Sequence, residues 1–316
     1  MRPERDPGGG VTCSIVVATY DRCGLLVETL ESLLEHLEVT ELEHLEVTGA
    51  ARCREVIVVD NNSSDETPGV VASYARRIER IKACREPRQG LSRARNAGLA
   101  LATGDVVVFL DDDVSVDGRW LAELLRPFDD PAVGATGGRV LPYADRALPE
   151  WLPREYDYLV SVFDIGDQTK ATDTIMGTSF AVRRGLLETL GGFDVDLGRN
   201  GRTLTGGEEV ALCRKIRRLG HTVVYVPASV VRHKIDGKLN ERYVVDHAYW
   251  LGVSEARLER RLARTRFALK LARSCAYTWL RPRDTPAGSG RHSAEDVRRA
   301  IRERYAAGYR RHAAAP

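Results

Sequence analysis

From residue 12 to about residue 110 the chain alternates short, unbroken apolar runs with longer stretches whose apolar residues recur at helical spacing. Residues 13–18 (CSIVVA), 55–59 (EVIVV), 81–84 and 105–110 (DVVVFL) are too short for helices and mostly rich in β-branched side chains, so they read as strands. Between them Leu25, Leu26, Leu30, Leu33 and Leu34 mark a first helix, residues 67–77 a second and residues 92–102 a third. Strands without in-out alternation are buried on both faces, and strand–helix alternation predicts an α/β domain with a mainly parallel sheet wrapped by helices. Residues 142–174 show no period and are rich in aromatic and charged side chains, the pattern of a cover or binding segment. A helix over 207–219 and a strand over 222–226 close the core. Beyond about residue 240 the chain reads as helical and basic, interrupted at 282–290.

Charge changes this picture only at the C-terminus. Residues 257–312 carry 16 Lys/Arg against 5 Asp/Glu, in a chain whose formal total is +2. Within 257–281 the apolar residues Leu258, Leu262, Leu269, Ala272 and Ala276 recur among arginines, which describes a basic amphipathic helix. Two occupants of that face stand level: a membrane surface, giving peripheral contact through residues 257–281, or the acidic core of the same chain. Nucleic acid is excluded as a partner because no nucleic-acid-binding motif accompanies the charge. No run reaches the roughly 20 apolar residues needed to span a bilayer. Residues 1–11 are polar, without the apolar core of a signal peptide, and are expected to be disordered. The expected location is therefore the cytoplasm, peripheral at the inner face of the membrane if the basic segment binds lipid. Six cysteines without a Cys-x-x-Cys pair predict neither a disulfide framework nor a structural zinc. A tandem duplication, LEHLEVTE then LEHLEVTG, repeats His36 as His44, and reads as a solvated insertion rather than a metal site.

The chemistry lies at the carboxyl ends of the predicted strands, where open parallel sheets bind ligands. The first strand runs into Thr19-Tyr20-Asp21-Arg22, the second into Asp60-Asn61-Asn62-Ser63-Ser64-Asp65, and the fourth into Asp111-Asp112-Asp113. Asp, Asn and Ser favour helix caps, which is enough to account for Ser64 or Asp65. Capping does not explain an apolar strand that ends in three consecutive carboxylates. Carboxylates converging on one cleft repel each other unless a divalent cation with oxygen ligands sits among them.

These segments, VVATYDR (16–22), VIVVDNNSSDET (56–67), GLSRARNAGLALATGDVVVFLDDDV (90–114), GTSFAVRR (177–184), GGFD (191–194) and GGEEVALCRKIRRLGHTVVYVPASVVRH (206–233), resemble in content and order the family-two inverting glycosyltransferases. The resemblance implies the GT-A fold, a Rossmann-like α/β core. It divides the chain into a nucleotide-binding half (12–115), an acceptor-side half (116–239) and a basic helical extension (240–316). It implies that Thr19, Asp21, Asp60, Asn62, Arg93, Asn96, Asp111, Asp112 and Gly177 surround the nucleotide sugar. It further implies that Asp113 and Asp111 of the Asp-x-Asp motif bind Mn2+ or Mg2+, with His233 as a further ligand. Glu208-Glu209 stands where the family has a Glu-Asp pair whose second carboxylate is the catalytic base. The Glu in second position is a departure, and it leaves both Glu209 and Glu208 as bases to consider. The bland alternative for the pair is a helix N-terminus that favours negative charge.

The function implied is inverting transfer of a sugar from a nucleoside diphosphate, with UDP-sugar expected, to an acceptor hydroxyl. The acceptor is open between a lipid-linked glycan, a natural product and a peptide. A nucleotidyltransferase of the same fold would carry a Gly-rich basic loop after the first strand, where this chain has Thr19-Tyr20-Asp21-Arg22-Cys23. A degenerate, non-catalytic sugar-nucleotide-binding protein would not need Asp111, Asp113 and Glu209 together.

Overall fold

The four apolar runs of the first hundred residues form parallel strands β1 (Cys13–Thr19), β2 (Cys53–Asp60), β3 (Ile81–Arg85) and β4 (Val106–Asp111). The structure is a computed structural model and describes residues 11–37, 52–143, 147–201, 203–262 and 293–313. Helices α1 (Cys23–Leu37), α2 (Thr67–Arg77) and α3 (Leu91–Leu101) join these strands. Ile15, Val17, Val56 and Val58 pack on Leu26, Leu30 and Leu33 of α1, while Val16, Ile57, Val59 and Phe109 build the opposite face with Ala94 of α3. Each such side chain removed from water stabilises the fold by about 1.5–3 kcal/mol, which is why β1 and β4 carry no polar face, while the edge strand β3 exposes Lys82 and Arg85.

The chain then adds β5 (Val114–Val116), α4 (Trp120–Leu125), β6 (Val133–Pro142), β7 (Lys170–Ala171), β8 (Ser179–Arg183), α5 (Arg184–Leu190), α6 (Glu208–Arg218) and β9 (Thr222–His233). Among the described residues the strand order is β3-β2-β1-β4-β8-β6-β9-β5, with β7 also on β9. β8 runs antiparallel to both β4 and β6, so a parallel half meets a mixed half. The chain goes outward from β1 through β2 to β3 and returns to the other side of β1 as β4. The carboxyl ends of β1 and β4 therefore flank a topological switch point.

β9 differs from the strand expected over 222–226. Proline lacks a ladder donor and is confined to strand edges and bulges, so Pro227 reads as a strand end. The structure absorbs it in a bulge: Gly138 pairs with Val226, and the next residue, Arg139, pairs with Val230. The strand continues to His233, which stands opposite Val114 of β5.

After β9, α7 (Glu241–Leu262) and α8 (Ala294–Ala313) pack side by side in the same direction. A Cβ on Gly252 would lie 2.0 Å from Tyr305 O, and one on Gly308 2.0 Å from Tyr249 O, so the helix backbones touch where only glycine fits. Leu152, Leu159, Val162 and Ile235 pack with Val244, Ala248, Val297 and Ile301. Arg304 pairs with Asp246 at 2.9 Å and Arg298 with Glu155 at 2.7 Å. The described part of the basic extension thus packs on the chain's own carboxylates and apolar residues. The amphipathic stretch beyond residue 262, up to residue 292, lies outside the described residues, as does His44. Among the described residues no helix is long and apolar enough to cross a membrane.

Candidate active site

The aspartates are placed by strand geometry. β4 ends at Asp111, the chain steps over Asp112 and Asp113, and β5 then runs antiparallel along the end of β9. That register brings His233 beside Asp113, with Nε2 2.9 Å from Oδ1. Ligand atoms of Asp111, Asp113 and His233 all lie within 4.8 Å of one another. Two ligands across a cation with bonds of about 2.1–2.4 Å stand about 4.2–4.8 Å apart, so the spacing suits a divalent ion.

The hydrogen bonding of the trio points the same way. His233 is fully buried, and its Nδ1 lies 3.3 Å from the carbonyl of Ser161. A carbonyl only accepts, so Nδ1 carries the hydrogen on that side and Nε2 is the ring nitrogen turned to Asp113. Asp113 Oδ1 is buried and receives no hydrogen bond. An unpaired buried carboxylate oxygen beside a ring nitrogen and a second carboxylate is a donor set that fits a cation. Lys238 Nζ stands nearby, 2.8 Å from His233 Nε2 and 3.7 Å from Asp113 Oδ2. On the other side Arg22 Nη1 reaches Asp112 Oδ1 at 3.1 Å and Asp113 Oδ2 at 3.0 Å. Burial raises the Asp112 carboxyl to about 6 against the pull of Arg22. Burial also opposes ionisation of Asp113, but the charges of His233, Lys238 and Arg22 outweigh it and hold this carboxyl well below the usual range.

The acidic pair opens α6 behind Gly207, whose φ of 90° only glycine adopts readily. Glu208 is buried and bonds Arg95 Nη1 at 2.7 Å. Glu209 faces the cleft beside Gly177, and burial, then the charge of Glu208, raise its carboxyl to about 8 despite Arg95. The cleft, of ≈ 1400 Å³, is lined by Thr19, Asp111, Asp112, Asp113, Gly177, Glu208 and Glu209 together with an aromatic wall from residues 154–165, α7 and α8.

The sequence model of glycosyl transferase family 2 matches residues 14–191, more than half of the chain. The chain belongs to that family. This glycosyltransferase is 29% identical over 249 residues to the glucosyl-dolichyl phosphate glucuronosyltransferase of Haloferax volcanii, covering 77% of this chain and 75% of that one. It is 30% identical to the pre-mycofactocin glycosyltransferase of Mycobacterium tuberculosis over 56% of its own length and 37% of the relative's. Among solved structures it resembles a mannosyltransferase from Pyrobaculum calidifontis in complex with GDP-Man and Mn2+, at a TM-score of 0.60 and 22% identity, over 95% of this chain and 86% of the other. It also resembles a GalNAc-transferase structure with UDP, GalNAc and Mn2+, at a TM-score of 0.55 and 20% identity, over 78% and 51% of the two chains. These likenesses show the GT-A fold.

Other residues singled out in the sequence stand outside the cleft lining. The Asp21 carboxylate, at φ 49°, accepts Ser64 N at 2.6 Å, and that bond holds its pKa low. It ties the loop after β1 to the loop after β2. Asp60 is buried, with Oδ1 accepting Ser63 N at 2.9 Å and Oδ2 lying 4.0 Å from Arg85 Nε. Asn62, also at positive φ, meets Arg85 at 3.5 Å. Asn96 clasps Phe193 through both its amide oxygen and nitrogen, at 2.8 and 2.9 Å. It thereby pins the turn that follows α5. Arg93 lines a small separate cavity with Glu86 and Arg88.

Three cations that the sequence reading passed over hold the site together. Arg95 is buried beneath the cleft, where it bonds Glu208 and the Gly177 carbonyl at 2.7 Å each, approaches Asp111 at 3.4 Å and stacks over Phe180 and Phe193. Helical phase was the available signal: Ser92, Arg95 and Gly98 share the buried face of α3, and Arg93 does not. Arg22 had a signal too, as the cation directly after Asp21. Lys238 had none, since its place depends on the 3-10 turn Asp236–Lys238 that follows β9.

Proposed function

We propose that this glycosyltransferase moves a sugar from a nucleoside diphosphate, with UDP-sugar as the donor, to an acceptor hydroxyl with inversion at the anomeric carbon. The observation that carries this reading is the meeting, in one cleft at the switch point, of Asp111 and Asp113, backed by the buried His233, with the cleft-facing carboxyl of Glu209. Asp111, Asp113 and His233 would hold Mn2+ or Mg2+, which when bound neutralises charge on the donor diphosphate. Thr19, Asp112 and Gly177 border the donor. Asp21, Asp60, Asn62, Arg93 and Asn96 shape the loops around the nucleotide, since their side chains bond or face neighbouring loops outside the cleft lining. Lys238 and Arg22 stand where they add positive charge beside the leaving group.

Glu209 is the base and Glu208 its anchored neighbour. The acceptor O–H proton passes to a Glu209 oxygen as the acceptor oxygen forms a bond to the anomeric carbon. On the opposite face the bond from that carbon to the diphosphate oxygen breaks, and its electron pair leaves with the nucleotide. Glu209 acts only when ionised, so the rate should rise with pH toward its raised pKa. Glu208 cannot substitute while Arg95 holds it. Incubating the chain with UDP- and GDP-sugars and Mn2+, with an acceptor panel, tests the reading. Product of inverted anomeric configuration supports it, and retained configuration rules it out.

A further inference from the structure

The chain between α5 and α6 carries two glycines in the left-handed region, Gly198 at φ 90° and Gly201 at φ 71°. A Cβ on Gly198 would lie 2.8 Å from Ser92 Oγ and 3.3 Å from Glu208 Oε2. A Cβ on Gly201 would lie 3.0 Å from Gln89 Oε1 and 3.6 Å from the Tyr20 ring. This short stretch therefore runs from the acidic pair at the start of α6 to the loops that follow β1 and β3. Arg199 stands between those two ends, half-buried, with its carbonyl accepting Leu91 N at 2.8 Å.

Arg199 belongs to the cleft lining, and its guanidinium meets a neutral partner: Nη2 donates to Tyr243 Oη of α7 at 3.0 Å. Among the described residues no carboxylate pairs with it. Arg22, Arg95 and Lys238 differ, since each faces an aspartate of the 111–113 run. The charge of Arg199 acts on the groups around it: it bears on Lys238, and after burial it is the next cause that lowers His247, to about 4. Positive groups gathered on one side of a cleft draw an anion to it.

We propose that Arg199 is a donor-binding residue whose guanidinium, with Lys238 beside it, holds the diphosphate of the nucleotide sugar. The proposal rests on the transferase reading above and adds a leaving-group residue to it. Placement selects the diphosphate. In that reading the sugar lies by Glu209 and the nucleoside by the loops after β1 and β2, so the group between them is the diphosphate, and Arg199 occupies the same interval. Chemistry agrees, because a guanidinium has five N–H donors in a fork that matches phosphate oxygens, and Tyr243 takes one of them. When the bond from the anomeric carbon to the diphosphate oxygen breaks, its electron pair stays on the diphosphate. The charge gained there meets a cation that no protein carboxylate neutralises.

The test titrates the full chain calorimetrically in Mn2+ with UDP and GDP, then with the monophosphate of the base that binds. Arg199→Gln should weaken the diphosphate about tenfold, the equivalent of 1.4 kcal/mol, and the monophosphate by less than about threefold. Arg199→Lys keeps the charge and loses the fork, so it should weaken the diphosphate about threefold. Tyr243→Phe removes the hydroxyl and keeps the charge, and should leave diphosphate binding near that of the parent. Unchanged diphosphate affinity in Arg199→Gln would overturn the proposal and leave the donor reading standing. So would equal losses of diphosphate and monophosphate, or a Tyr243→Phe variant as weak as Arg199→Gln, since both describe a loop tie rather than a phosphate contact. A parallel titration compares UDP-glucose with UDP-glucuronate. A loss confined to UDP-glucuronate would move Arg199 to a sugar carboxylate and overturn the diphosphate assignment. Failure of both UDP and GDP to bind the parent chain in Mn2+ would remove the donor reading on which the proposal rests.

Discussion

Replacing Glu209 by Gln removes the proposed base while keeping its size, and the structure gives the direction of two separate effects. The carboxyl is raised from an ordinary 4.5 to about 8, chiefly by burial and then by Glu208. The folded chain therefore binds this proton more tightly than the unfolded chain does, and stability attached to the group is complete below 4.5 and lost as pH rises through 8. Gln has no proton to lose. The variant should melt near the parent chain at pH 5 and above it at pH 9, by an amount on the order of 1–3 kcal/mol after allowance for partial solvent access. Turnover should move the other way, falling by about 10²–10⁴ at pH 8 and above, with the gap narrowing at lower pH as the parent's own base protonates and with Mn2+-dependent UDP binding retained. In the parent chain kcat/KM should rise with pH through an apparent pKa near 8. Calorimetric melting across pH 5–9 and initial rates over the same range read both effects. Unchanged turnover in Glu209→Gln, or a variant less stable than the parent at pH 9, would refute the reasoning. Loss of turnover in Glu208→Gln alone would move the base to Glu208.

Three further outcomes follow from the same contacts. Arg95→Met leaves Glu208 buried without its ion pair, so it should lower stability by about 3–5 kcal/mol, visible in urea unfolding. Arg95→Lys should fold better yet shift the kcat/KM pH profile upward, because one ammonium cannot hold Glu208, Gly177 and Asp111 at once. Gly252→Leu should separate α7 from α8, lower the melting temperature and expose the apolar residues around Ile301 to a hydrophobic dye. Sedimentation with liposomes tests the basic segment 257–281; equal binding to neutral and anionic vesicles would remove its proposed membrane role.

The nucleotide half was legible because its signals are local. A run such as residues 105–110 is a strand wherever it occurs, and three aspartates at its end need an explanation that burial alone does not supply. What was not legible depended on register and helical phase. His233 was expected as a ligand through the family resemblance alone: it reaches Asp113 because a bulge carries β9 past Pro227, and no local pattern announces a bulge. Arg95 and Arg93 differ by two positions in α3, which puts them on different sides of the helix: one beneath the cleft and the other in a separate cavity. Asp21 and Asn96 look like ligand-binding groups in sequence, yet their side chains hold backbone amides of neighbouring loops. The aromatic wall also draws residues from far apart, since Tyr156 and Tyr305 line one cleft only through the packing of α8.

Nucleotide release tests the central claim most directly. The chain is incubated with UDP-sugars and GDP-sugars in Mn2+ or in chelator, and free nucleoside diphosphate is measured over time. The account predicts release from a UDP-sugar in Mn2+, suppression by chelator, and loss in both Asp113→Ala and Glu209→Gln, with UDP binding retained only in Glu209→Gln. Release that is indifferent to chelator and to Asp113→Ala would contradict it.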